Sequence, residues 1–168
     1  EVIEAKWLFG FDPERISVWI HPQSIVHSMV EYIDGSLISQ MSLPDMRIPI
    51  AYALSYPERM LMNGNRVVPE NFRELTFRGV DNEKFPSISL AFSALREGGT
   101  MPAVMNGANE VAVRAFLTRE IGFTDIVRIV EKVMSIHQSS PAESLESVLE
   151  SDAWARDKAR ILIKNQEN

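Results

Sequence analysis

Between residue 84 and about residue 164, apolar residues return every three or four positions, in successive stripes joined by short connections. Ile88, Ala91/Phe92 and Leu95 make the first stripe, which Gly98-Gly99 ends. Val104, Ala108, Val111/Ala112 and Ala115/Phe116 make the second, which ends near Gly122. Thr124 is placed to cap a third, with Ile126, Ile129/Val130 and Val133/Met134 facing inward. Ser140-Pro141-Ala142-Glu143 has the form of a fourth start: a capping Ser, Pro at the first helical position, and Glu three residues after the cap. That segment runs to about residue 164, with a break expected at Ser151-Asp152. A helix with one apolar face must bury it against another, so this half of the chain is a small helical bundle.

The first half follows other periods. Val2, Ala5 and Leu8/Phe9 stand at helical spacing, and Gly10 ends that helix. Residues 16–20 alternate as a strand, with Ile16, Val18 and Ile20 on one face. Residues 26–33 and 36–41 read as two strands around a two-residue Asp34-Gly35 loop. That loop would set Tyr32 opposite Leu37 and Val30 opposite Ser39. Pro44-Asp45-Met46-Arg47 opens a short helix with Asp45 as its N-cap, and Ser55-Tyr56-Pro57 closes it. Residues 57–82 carry Pro57, Gly64, Pro69 and Gly79 without a sustained period, and Leu75 and Phe77 could anchor one short edge strand there. The expected fold is α+β. Residues 1–56 form a β-rich part with one helix, residues 57–82 a linker, and residues 83–168 a helical bundle.

Charge and residue usage narrow the function. The chain has 17 basic and 23 acidic residues, a formal charge of -6, which argues against a general nucleic-acid or anionic-membrane binder. It has no cysteine, so disulfides, thiolate nucleophiles and Cys-ligated zinc are excluded, and a reducing compartment suits it. Apolar runs are too short to span a bilayer, and no signal peptide is read ahead of the first strand. The chain begins at Glu1 inside an apparent helix, which predicts that it is the C-terminal portion of something longer.

The candidate sites each have two readings. Glu1 and Glu4 share a helix face, where their mutual repulsion invites a divalent cation or a basic partner; a solvated helix face, common for charged pairs, is the plainer reading. In residues 21–27, His21, Gln23, Ser24 and His27 surround a strand break, and such breaks often re-aim side chains into sites. Alternatively, His21 and Ser24 satisfy turn backbone and His27 is a half-buried strand residue. The doubtful strand geometry around Pro22 gives no reason to pair the histidines as metal ligands. The helix entry at residues 44–47 could receive an anion or be only a cap. Residues 101–110 hold many small side chains and two Asn, as close helix packing requires. No G-x-G-x-x-G, P-loop, H-E-x-x-H or G-x-S-x-G pattern is present.

Taken together these segments resemble one family. E-x-x-E-A-K-W-L-F at 1–9, I-H-P-Q-S-I-V-H-S-M at 20–29, D-G-S at 34–36 and P-D-M-R-I-P-I at 44–50 are similar to the reductoisomerase of the methylerythritol phosphate route to isoprenoids. M-N-G-A-N-E-V-A-V-R-A-F at 105–116 and F-T-D-I at 123–126 resemble its C-terminal bundle. The resemblance implies an oxidoreductase and isomerase that converts 1-deoxy-D-xylulose 5-phosphate to 2-C-methyl-D-erythritol 4-phosphate with NADPH and Mg²⁺ or Mn²⁺. It implies Glu1 as a metal ligand with Glu4 beside the site, and His27 and Ser24 in the catalytic block. Pro44 and Met46 would lie against the nicotinamide or bound ligand. It also implies a sugar-phosphate substrate, a homodimer, and a location in the bacterial cytoplasm or a plastid stroma. The other two metal ligands and the NADPH domain would lie upstream, so this chain alone would be inactive. The competing reading is a self-standing helical interaction module with a small sheet attached.

Overall fold

The computed structural model describes residues 1–62, 66–68, 70 and 73–166. The chain divides into two compact units, one of Glu1–Ser17 with Asp81–Asn168 and one of Val18–Val80. Helices and small sheets coexist, so the α+β class holds.

The helical unit begins with α1, Val2–Phe9. Gly10 ends it in the left-handed region at φ 68°, and donates its N–H to the Lys6 carbonyl. That conformation costs a residue with a Cβ more than it costs glycine. A 3-10 turn, Pro13–Arg15, follows. Then come α3, Pro86–Glu97; α4, Met101–Leu117; α5, Phe123–Ile136; and α6, Leu145–Gln166. Both α1 and the 3-10 turn pack on α3. Residues 1–17 therefore group with the bundle, not with the sheet as the expected division had it.

The core follows the helical stripes. Val104, Ala108, Ala112, Ile129, Val133, Ala155 and Ala159 are buried, joined by Met101 and Ile163. The inward face of α4 is mostly small, so α5 and α6 approach it closely. Gly107 marks the tightest point, because a Cβ there would stand 2.8 Å from Asp152 Oδ1 and 3.0 Å from the Asp152 carbonyl oxygen. Beside it, Arg156 donates to Asp152 at 2.6 Å and to Glu110 at 2.8 Å, and so ties α6 to α4. The Arg156 guanidinium, with a further hydrogen bond from Asn106, holds the Glu110 carboxyl below its usual range.

In the bundle, the starts of α5 and α6 and the continuity of α6 differ from expectation. Gly122, not Thr124, precedes α5, and Asp125 Oδ2 accepts the Gly122 N–H at 2.9 Å. Ser140 caps nothing, because it is engaged with Thr100. The Ser140 carbonyl accepts the Thr100 N–H at 2.9 Å, and Thr100 Oγ1 accepts the Ser140 N–H at 3.2 Å. Thr100 is fully buried, and its hydroxyl also meets His137 Nε2 at 2.9 Å. The last helix starts four residues later, where Ser144 Oγ accepts the Ser147 N–H. It then continues unbroken through Ser151 and Asp152. Both residues suit a helix here, since Ser151 bonds back to the Ser147 carbonyl and Asp152 pairs with Arg156.

The second unit holds two antiparallel ribbons and one helix. β1, Trp19–Ile20, pairs with β4, Arg78–Gly79; β2, Val26–Glu31, pairs with β3, Leu37–Met41. α2 is Arg47–Ser55. The expected strand at 16–20 shrinks to two residues, because Ile16 closes the 3-10 turn through its N–H to Pro13. The hairpin register is off by one. Glu31 faces Leu37 and Val30 faces Ile38, around a loop of Ile33, Asp34 and Gly35 between Tyr32 and Ser36. Gly35 lies at φ 81° and donates to the Tyr32 carbonyl, as in a three-residue turn with a bulge rather than a two-residue one. Asp34 favours that form by accepting from both the N–H and the hydroxyl of Ser36. The 57–82 stretch is not a plain linker, since its end returns to pair with β1. Its Gly64 and Pro69 lie outside the described residues. The expected edge strand forms at Arg78–Gly79, just past Leu75 and Phe77. Among the described residues no helix is long and apolar enough to cross a membrane.

Gly107→Ala tests the α4–α6 spacing. Alanine gains about 1 kcal/mol of helix propensity over glycine, while overpacking costs about 1–3 kcal/mol. We expect a net loss of about 1 kcal/mol in denaturant unfolding, because one of the two blocking oxygens is backbone. A gain in stability would show that the spacing yields freely.

Candidate functional site

The strand break at residues 21–24 is shaped by contacts with a segment more than fifty residues away. His21 Nδ1 lies 2.8 Å from the Thr76 carbonyl oxygen. That oxygen only accepts, so Nδ1 carries the proton. The His21 ring stacks on Phe77 with centroids 4.6 Å apart and planes 15° from parallel. His21 Nε2 is buried without a hydrogen-bond partner among the described residues. Gln23 meets Thr76 twice: its Nε2 donates to Thr76 Oγ1 at 3.0 Å, and its Oε1 accepts the Thr76 N–H at 3.3 Å. The reading of His21 as a turn residue thus captures only part of its role.

Ser24 follows directly. It is exposed, it donates its N–H to the His21 carbonyl at 3.1 Å, and its φ is 50°. A serine in the left-handed region is strained by about 1–2 kcal/mol, and residues so placed cluster at functional sites. Ile25, next along, is buried, and its carbonyl accepts the Ser42 N–H at 3.0 Å. His27 is exposed at the irregular start of β2, where the register shifts between Val26 and Ser28. Its Nε2 lies 3.0 Å from the Ser42 carbonyl and donates to it. The expectation of a half-buried His27 is not met; the ring stands at the surface, anchored by one nitrogen.

Pro44 and Met46 flank a fixed carboxylate. Asp45 donates its N–H to the Leu43 carbonyl at 2.7 Å. Its side chain accepts the Arg47 N–H at 3.0 Å and grips the Arg47 guanidinium with contacts down to 2.6 Å. The N-cap position itself belongs to Met46, one residue later than expected, yet Asp45 satisfies the first helical N–H. These bonds to Arg47 hold the Asp45 carboxyl down at about 2. Pro44 and Met46 are left exposed, Met46 by 71%.

Glu1 and Glu4 belong to the helical unit. Both are exposed, and Glu4 lies over the first turn of α1, 3.3 Å from the Glu1 nitrogen. No cluster of three or more potential ligands occurs among the described residues, so these carboxylates alone do not make a metal site. Sequence reasoning missed Thr76 and Phe77 as partners of the strand break. Their stretch has no period, and nothing local reports a contact at that separation.

A polar strand break and an apolar-flanked carboxylate lie in the sheet unit of this α+β chain, and the helical bundle forms the other unit. The chain belongs to the DXP reductoisomerase C-terminal domain family, whose model matches residues 41–158. It is 54% identical over 163 residues to the 1-deoxy-D-xylulose 5-phosphate reductoisomerase of Chlorobium chlorochromatii, covering 97% of this chain and 43% of that protein. The enzyme of that name from Heliobacterium modesticaldum is 57% identical over 156 residues, covering 93% and 40%. This chain therefore spans less than half the length of these relatives. The solved reductoisomerase of Zymomonas mobilis in complex with NADPH aligns with a TM-score of 0.86 at 44% identity, over 96% of this chain and 43% of that one. A DOX-P reductoisomerase in complex with NADPH, fosmidomycin and magnesium aligns with a TM-score of 0.91 at 38% identity, over 99% and 43%.

The Asp45 carboxylate makes a pH prediction. Its folded pKa lies below the ordinary value, so its contribution is present above about pH 4 and is lost as pH falls through about 2. We expect NMR titration of the Asp45 carboxyl to give a midpoint near 2, with Arg47→Gln returning it toward 4. An unshifted midpoint in the native protein would remove the Asp45–Arg47 fork.

Proposed function

We propose that this chain supplies the C-terminal part of an NADPH- and divalent-metal-dependent reductoisomerase. That enzyme converts 1-deoxy-D-xylulose 5-phosphate to 2-C-methyl-D-erythritol 4-phosphate in isoprenoid biosynthesis. The observation that carries this is the family match over residues 41–158, with curated relatives of that name aligned along 97% of the chain.

In this reading Glu1 is a ligand of Mg²⁺ or Mn²⁺ and Glu4 lies beside it. Carboxylate oxygens are the hard donors such cations take, and the remaining ligands come from residues outside this chain. The bound metal would polarise the substrate's carbonyl and hydroxyl oxygens. His27 keeps its ring in place by giving Nε2–H to Ser42, which leaves Nδ1 to receive a substrate hydroxyl. Ser24, exposed on a strained turn, offers its hydroxyl in the same block. Pro44 and Met46 form an apolar wall for the nicotinamide, where exclusion of water favours hydride transfer. The protein acts as a homodimer, and the exposed Val30, Ile38 and Met41 of the hairpin supply apolar surface for such a contact. The bacterial relatives support a bacterial cytoplasmic setting.

The isolated 168-residue chain is expected to show no substrate-dependent oxidation of NADPH, because a specific Mg²⁺ site needs more carboxylates in one place than Glu1 and Glu4 supply. In the full-length protein, Glu1→Gln should cut turnover by about 10²-fold, since a lost metal ligand costs several kcal/mol of charge stabilisation. Unaltered turnover would take Glu1 out of the ligand set. Turnover by the isolated chain would overturn the partial-site reading.

A further inference from the structure

We propose that His21 and Gln23 are positioning residues, which grip Thr76 and thereby fix the turn that presents Ser24 and His27. The inference rests on the reductoisomerase reading and adds to it residues that do not themselves meet the substrate.

The geometry is specific at each step. Thr76 is bound through its carbonyl oxygen, its amide and its hydroxyl, each by a side chain from the 21–23 segment. The Thr76 N–H only donates, so it requires the amide oxygen of Gln23 on its side, and the Gln23 nitrogen then faces the hydroxyl. Glutamine satisfies both at once; a carboxylate would meet the hydroxyl only by accepting from it. The carbonyl of Thr76 requires a donor, which fixes the His21 tautomer, and Phe77 fixes the plane of that ring. With β1 paired to β4 on one side, the 21–23 segment is restrained at both ends.

What this restraint opposes is the tendency of Ser24 to leave φ 50°. The N–H of Ser24 reaches back to the carbonyl of His21, so the gripped ring and the strained turn share one residue. Directly after the turn come buried Ile25 and then β2, whose His27 leans on the carbonyl of Ser42. A change in the His21–Thr76 contact therefore passes to Ser24 in one hydrogen bond and to His27 along one short stretch of chain.

The test uses the full-length enzyme with Gln23→Leu, Thr76→Val and His21→Phe, the last retaining the stack on Phe77. Thr76→Ser, which keeps the hydroxyl, is the rescue. We expect kcat to fall by about tenfold or more in the first three, as small misplacements near the chemistry do, and to return in Thr76→Ser. KM for NADPH should stay unchanged, because Pro44 and Met46 are held by a different set of bonds. The backbone amide resonances of Ser24 and His27 should move in the loss variants and not in Thr76→Ser. Unmoved resonances, or a fall in activity merely proportional to the folded fraction, would overturn the proposal. The resonances do not depend on turnover. A wild-type enzyme without reductoisomerase activity would thus sink the functional reading while the amide shifts still judge the clamp.

Discussion

The close approach of α5 and α6 to α4 is the constraint on which the helical unit depends. Gly107, Ala108, Ala112 and Ala115 leave α4 almost without side-chain bulk on its buried face beyond the first turn, where Met101 and Val104 lie. Ala155 and Ala159 do the same for α6. Larger side chains fill the rest of this core: Met101, Val104, Ile129 and Val133 are fully or almost fully buried. Burying a side chain of that size contributes about 1.5–3 kcal/mol, and the small contacts add dispersion that only near-touching backbones allow. Arg156 then bridges α6 and α4 at the rim, with its guanidinium shared by two carboxylates. Rim ion pairs of this kind contribute modestly, so apolar packing sets the spacing and the charges fix its register.

The other unit is built by a different force. Ile25 is its one fully buried apolar residue among those described, and every residue of β3 is exposed. A two-stranded ribbon is marginal by itself in water. Directional bonds instead define its shape, among them Asp34 on Ser36, Asp45 on Arg47, His27 on Ser42, and His21 with Gln23 on Thr76. The first two each close over two residues, whereas the grip on Thr76 spans more than fifty. Such bonds fix angles better than they add stability, since a net hydrogen bond is worth about 1 kcal/mol.

That difference explains what could be read from the amino-acid order. Stripes such as Ile129/Val130 and Val133/Met134 turn inward as their spacing demands, because burial is a property of the periodic pattern itself. Boundaries were harder. Ser140 has every local sign of a cap, yet buried Thr100 claims both its N–H and its carbonyl from forty residues away. The hairpin register failed for a local reason: Asp34-Gly35 fits a two-residue turn, but its bonds to Ser36 stabilise a loop one residue longer. In the 21–27 block, residue types were legible and their partners were not. Nothing near His21 or Gln23 points to Thr76.

The residues assigned to chemistry in the sheet unit sit where directional bonds dominate, and this follows from what a site requires. A packed core selects residues for volume and tolerates small shifts by repacking. Ser24 and His27 are exposed, so no core places them. Their geometry must come from backbone turns and polar contacts, and those are under strain at φ 50° unless something outside the turn opposes relaxation. Among the described residues, Thr76 and Phe77 are the partners of the turn that lie far along the chain, so they restrain the turn in a way that neighbouring residues cannot. Had the 21–24 segment been stabilised only by its own backbone, a left-handed serine would relax toward an ordinary conformation at little cost. The long-range grip converts a strained local preference into a fixed one, at the expense of making the exposed residues depend on a segment with no site residue of its own.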